Sequence, residues 1–155
     1  MADLCCAYSF AGVIINNPAV GADRLILGED GVTGLDGAPI RCEIDDEGQG
    51  DGGLFFPRFY SARIITFKGF CHIQSVTVEM NTPYYTALNN LEAAVTAALQ
   101  GQLNSAANLT WTPTGGSGKS ISCYYGNTGG EIQFGGSMLE KTFEFTLVAY
   151  NPTIS

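Results

Sequence analysis

Apolar and polar residues alternate in short runs along most of this chain, and the runs close on glycine, proline, asparagine or aspartate. Residues 141–150 show it best, with Phe143, Phe145, Leu147 and Ala149 on one side and Thr142, Glu144, Thr146 and Val148 on the other. A period of two is that of a half-buried strand. Residues 40–44 alternate as Ile40, Cys42, Ile44 against Arg41 and Glu43, and 63–73 place Ile65, Phe67, Gly69 and Cys71 together. Residues 76–80 repeat the pattern with Val76, Val78 and Met80, so 63–80 reads as one bent strand or a tight pair. Shorter strand-like runs cover 12–16, 24–27, 108–112, 119–125 and 131–134. Asn16-Asn17-Pro18 and Gly28-Glu29-Asp30-Gly31 are turn sequences that close the first two. Residues 45–52 are acidic and glycine-rich, and no packed structure is expected there.

One segment breaks the period of two. From 83 to 100, Tyr84, Leu88, Leu91, Val95 and Leu99 recur at helical spacing, opposite Asn89, Asn90, Glu92, Thr96 and Gln100. Thr82 suits an N-cap, Pro83 the first helical position, and Gly101 can end the helix. The expected fold is mainly β with one helix: a β-sandwich or split barrel of short antiparallel strands, with the amphipathic helix 83–100 packed on a sheet. Neither an internal repeat nor a linker divides the 155 residues, which suit one domain at about 150 residues each.

Charge changes the picture more than size does. Charged residues make up 14% of the chain, against about 25% in ordinary globular domains. The first 51 residues hold ten acids against Arg24 and Arg41, and so carry the whole net charge of −8. No cluster of lysine and arginine exists, so specific nucleic-acid binding and attraction to an anionic membrane are not expected. Cys5, Cys6, Cys42, Cys71 and Cys123 are odd in number and form no CxxC pair, which fits reduced thiols better than a disulfide framework or a zinc ribbon. The first basic residue is Arg24, too late for a signal-peptide n-region, and no apolar run reaches the roughly 18–20 residues of a membrane span.

Candidate chemistry dissolves on inspection. Pro113-Thr114-Gly115-Gly116-Ser117-Gly118-Lys119-Ser120 imitates a phosphate-binding loop, but proline replaces the leading glycine and a strand follows where a helix is required. His72 is the lone histidine, and Cys71 beside it on a strand points the opposite way. Asp45, Asp46, Glu47 and Asp51 lack the spacing of a calcium loop. Neither an enzyme nor a cofactor site is expected. Trp111, Tyr124 and Tyr125 are the candidates for a sugar platform in a carbohydrate-binding module, with Trp111 placed by its strand as a core residue. The aromatic run Leu54-Phe55-Phe56-Pro57, followed by Arg58-Phe59-Tyr60, either caps the core or packs on another chain.

Three stretches resemble the distal tail proteins of long, flexible-tailed phages. Residues 34–41 (GLDGAPIR), followed by a polar glycine loop, are similar to the start of that family. Residues 58–69 (RFYSARIITFKG) resemble its x-G-R-T-I-T-L-x-G strand, with Ala62 for glycine and Ile64 for threonine, and residues 145–152 (FTLVAYNP) resemble its closing motif, with Asn151 for aspartate. The resemblance implies a single ring-forming domain over 1–155 without the galectin-like C-terminal domain of larger relatives. It implies a homo-hexamer in the virion tail, assembled in the host cytoplasm, between the tail tube protein on one side and tip, hub or baseplate proteins on the other. The major tail tube protein, which uses the same basic fold, is the alternative. Within that frame Arg41, Leu54, Phe55, Phe56 and Arg58 are the expected subunit-interface residues, and Asp45, Asp46, Glu47 and Asp51 the expected channel-lining acids.

Overall fold

The computed structural model describes residues 6–18, 23–41, 44–46, 53–55, 59–74, 82–126, 132–136 and 141–155. Its strands in chain order are β1 (Tyr8–Phe10), β2 (Val13–Ile15), β3 (Arg24–Thr33), β4 (Ile40–Arg41), β5 (Ile44–Asp46), β6 (Gly53–Phe55), β7 (Phe59–Tyr60) and β8 (Arg63–His72). Helix α1 (Thr82–Gln100) follows, and then β9 (Ala107–Trp111), β10 (Lys119–Tyr125), β11 (Gln133–Gly136) and β12 (Lys141–Ala149). The fold is mainly β with one helix, as the pattern predicts.

The main sheet runs β10-β9-β1-β2-β3-β8-β12-β11, and a further β10–β12 pairing closes seven of these strands into a barrel with β11 outside. Strand β12 serves both neighbours: its first half pairs with β11, and Leu147 and Val148 pair with Tyr125 and Tyr124 of β10. All pairings are antiparallel except β2–β3, which is parallel through Ile15 and Leu25. An all-antiparallel arrangement is therefore corrected at this one seam. Asn16 makes the exception work: in the left-handed region (φ 56°), its N–H donates to the Leu25 carbonyl and its Oδ1 accepts from the Leu27 N–H at 3.0 Å.

Inward residues of the barrel strands form one core. Tyr8, Phe67, Phe143, Phe145, Leu109, Ile121 and Leu147 are buried in it. The Phe67 ring stacks on Phe145 at 5.3 Å and meets Tyr8 edge-on at 5.5 Å. Helix α1 buries Tyr84, Leu88, Val95 and Leu99 in the same cluster, the face its periodicity selects. Glu92, expected on the solvent side, reaches back to Lys141 at 3.0 Å and ties the helix to the start of β12. The helix ends without a left-handed glycine: Gln102 and Leu103 donate to the Leu99 and Gln100 carbonyls in tight final turns. The last residue lies along β10, where Ser120 and Ser155 exchange both backbone hydrogen bonds at 2.8 and 2.9 Å.

Two further corrections concern glycine-rich stretches. Gly28–Gly31 does not end β3; these four residues bulge opposite Lys68, and pairing resumes at Val32 and Phe67. The acidic stretch is not wholly without structure, because Ile44–Asp46 pairs with Gly53–Phe55 as a hairpin. Residues 76–80, read as a strand from their alternation, lie outside the described residues.

Candidate functional site

Between β3 and β8 the chain leaves the barrel as an arm. Its stem is the β4–β7 pair, with Ile40 opposite Tyr60 and Arg41 opposite Phe59. Farther out comes the β5–β6 pair, with rungs Ile44–Phe55, Asp45–Leu54 and Asp46–Gly53. Two residues separate β4 from β5 and three separate β6 from β7, so the two pairs are out of step by one residue. The Ser61 N–H closes the stem on the Pro39 carbonyl at 2.9 Å.

The arm carries most of the residues singled out as an assembly surface. Arg41 is exposed in β4, and Leu54 and Phe55 occupy β6. Asp45 and Asp46 are in β5, across the ladder from Leu54 and Gly53. Phe56, Arg58, Glu47 and Asp51 lie outside the described residues. Sequence reasoning underrated the stem itself: Ile40, Phe59 and Tyr60 are 62%, 60% and 68% exposed. Ile40 and Tyr60 stand opposite each other on one face of the stem, and Phe59 stands with Arg41 on the other. For Phe59 and Tyr60 the signal in the sequence is the end of the same aromatic run; Ile40 stands apart from it.

A second missed residue fastens the arm to the barrel. Arg63, first in β8, is 4% exposed, and its contacts are backbone carbonyls. Nη1 donates to the carbonyls of Gly34, at 2.7 Å, and of Asp36, while Nε donates to Pro152 at 3.2 Å. Three strongly polarised acceptors from two segments thus solvate a buried cation. Gly34 can take its place only as glycine: φ is +89°, and a Cβ there would lie 2.0 Å from the Ile64 carbonyl oxygen. Near the other contact, the Asn151 Oδ1 accepts the Thr153 N–H at 3.2 Å and turns the chain just after Pro152. The three stretches that carry the family resemblance meet at this guanidinium.

The remaining candidates find their places elsewhere. Residues 113–118 are a turn, with Gly116 donating to the Pro113 carbonyl and Lys119 opening a strand. His72 is half-buried at the end of β8, on the opposite face from buried Cys71. Burial pushes the Cys71 thiol up to about 11, with a smaller contribution from the Glu92 carboxylate, and the Cys123 thiol up to about 12. Both thiols are therefore protonated and unreactive at neutral pH. Trp111 and Tyr125 are buried in the core, so neither is available as a sugar platform.

Neither a family model nor a curated protein matches the sequence. The fold matches a solved structure, that of the Dit protein (gp 19.1) of phage SPP1, described as a paradigm of the hub adsorption apparatus in phages that infect Gram-positive bacteria. The TM-score is 0.65 at 12% identity, over 95% of this chain and 50% of that one, so the chain spans half the length of its neighbour. At that identity the likeness is one of fold, and the fold is one that a phage tail hub protein uses.

Proposed function

We propose that this chain is a structural tail protein of the distal-tail type. It assembles as a homo-hexameric ring that joins the tail tube to the tip or baseplate, with a central channel for DNA. The observation that carries this reading is the fold match to a phage hub protein over 95% of the chain. A subunit covered by copies of itself needs few surface ions, because stable interfaces are depleted in charge, and 14% charged residues suit that. Its role is mechanical and electrostatic, without catalysis or a cofactor.

Within the ring, Arg41, Leu54, Phe55, Phe56 and Arg58 lie at the subunit interface, joined there by the exposed stem residues Ile40, Phe59 and Tyr60. Asp45, Asp46, Glu47 and Asp51 line the channel and repel DNA. Negative-stain images of the purified protein test the assembly: sixfold rings are expected, long tubes would assign the chain to the tail tube, and monomers at all concentrations would refute both. Replacing Phe55 and Phe56 by serine is expected to shift rings to monomers in light scattering.

A further inference from the structure

We propose that Arg63 joins the root of the arm and the segment 150–155 into a single latch, so that the two open and close together. The chain leaves and re-enters the barrel at one spot. Strand β3 ends at Thr33, next to Gly34, and β8 begins at Arg63. Strand β12 ends at Ala149, which stands opposite Arg63 across the ladder. The Arg63 side chain spans these exits. Its Nη1 donates to the Gly34 and Asp36 carbonyls of the arm root, and its Nε to the Pro152 carbonyl of the segment after β12.

The Ser61–Pro39 bond closes the arm on itself and does not bind it to the barrel. Residues 150–155 form no strand; buried Pro152, half-buried Ile154 and the Ser120–Ser155 bonds hold them along the barrel wall. The guanidinium links the two. It is 4% exposed, so water does not replace a carbonyl that moves away, and the N–H left behind is buried and unpaired. If residues 150–155 lift off, Nε loses its acceptor. The guanidinium regains one only by turning out to water, which withdraws Nη1 from Gly34 and Asp36. Opening of the arm root acts on Nε in the same way. Each local opening is therefore easier once the other has occurred, and the coupling is reciprocal: whatever holds one segment in place also stabilises the other.

Amide hydrogen exchange of the full chain, resolved to single residues, tests the latch. One variant carries Asn151→Ala and Ile154→Asp, which remove the turn acceptor and the segment's apolar contact with the core. The Ser120 and Ser155 N–H groups report release of the segment, the Ser61 N–H reports the arm root, and the ladder amides of β8 and β12 report the barrel. In this variant the Ser61 N–H is expected to exchange about fivefold faster, as loss of one hydrogen bond would give, with the ladder amides unchanged. In an Arg63→Gln background the same two substitutions are expected to leave Ser61 exchange where Arg63→Gln alone sets it. Arg63→Lys, which keeps the charge without the fork, takes its place if the glutamine variant does not fold. From the other side, Gly34→Ala, whose Cβ would meet the Ile64 carbonyl, is expected to speed exchange at Ser120 and Ser155. Unchanged Ser61 exchange while Ser120 and Ser155 quicken, or a Ser61 response that persists without Arg63, overturns the latch. So does a rise shared equally by the ladder amides, which is unfolding of the whole barrel.

Discussion

Arg63 gives up nearly all its hydration on folding and receives in return the carbonyls of Gly34, Asp36 and Pro152. Those carbonyls depend on it as much as it depends on them, because an acceptor left without a partner in the interior costs about 1–3 kcal/mol. Arg63→Ala leaves those neutral carbonyls without their donor and is therefore expected to lose about 1–3 kcal/mol. At roughly 2–4 °C per kcal/mol for a domain of this size, calorimetry should show the drop clearly. Arg63→Lys retains the charge but not the planar fork that spans two segments, and is expected to recover only part of the loss. An unaltered melting temperature in either variant would refute the clamp. The buried thiols give a second test at this scale. Cys71 and Cys123 titrate at about 11 and 12 in the folded chain, against 9.0 for an ordinary thiol. An acid whose folded pKa is raised contributes stability that is whole below the unfolded pKa and is lost as pH rises toward the folded one. Denaturant stability should thus hold up to about pH 9 and fall above it, and mutating both residues to alanine should flatten that fall. At pH 8, labelling at these two positions should await added denaturant.

Elements were legible in the chain to the extent that their periodicity was pure. Strands β8 and β12 and helix α1 follow from alternation and from a helical stripe because each has one face in the core and one outside. Strand β1 escaped because Tyr8-Ser9-Phe10 is too short to establish a period. The extension of β3 escaped because Gly-Glu-Asp-Gly, a turn sequence by composition, is used here as a bulge between two paired stretches. The Arg63 clamp was invisible to local reading, since its contacts span 27, 29 and 89 residues. The exposed stem was half legible: the aromatic run was plain, but a sequence does not say which aromatic residues the core leaves out. Gly69 shows what the bulge requires of the facing strand. An added Cβ would sit 1.9 Å from the Ile26 carbonyl oxygen, backbone against backbone, with no flexible side chain to yield. Gly69→Ala is expected to cost about 1–3 kcal/mol, as overpacking does, whereas Gly37→Ala meets nothing within 4 Å and should change stability little. Urea midpoints measured side by side decide the matter, and equal midpoints would mean that β3 and β8 part freely at the bulge.

At the scale of the whole molecule, the uneven charge and the arm become one problem. All eight net negative charges fall in the first 51 residues, and five of the acids, Glu43, Asp45, Asp46, Glu47 and Asp51, belong to the segment that forms or adjoins the outer arm hairpin. Clustered carboxylates repel one another, and repeating them around a ring multiplies that cost, so an assembly that keeps them together uses the field they create. Under the ring reading that field faces the channel, where double-stranded DNA carries one negative charge per about 1.7 Å of axis and any cation would hold it through counterion release. Replacing Asp45, Asp46, Glu47 and Asp51 by lysine reverses the sign there without touching the clamp or the stem. The variant is expected to form rings as the wild type does, to retain DNA at low salt and release it as salt rises, and to slow genome delivery when built into particles. Wild-type rings should show no such retention. Delivery at wild-type speed by a particle carrying the reversed ring would place these acids away from the path of the DNA, and their clustering would then call for a partner of opposite charge on the neighbouring tail protein.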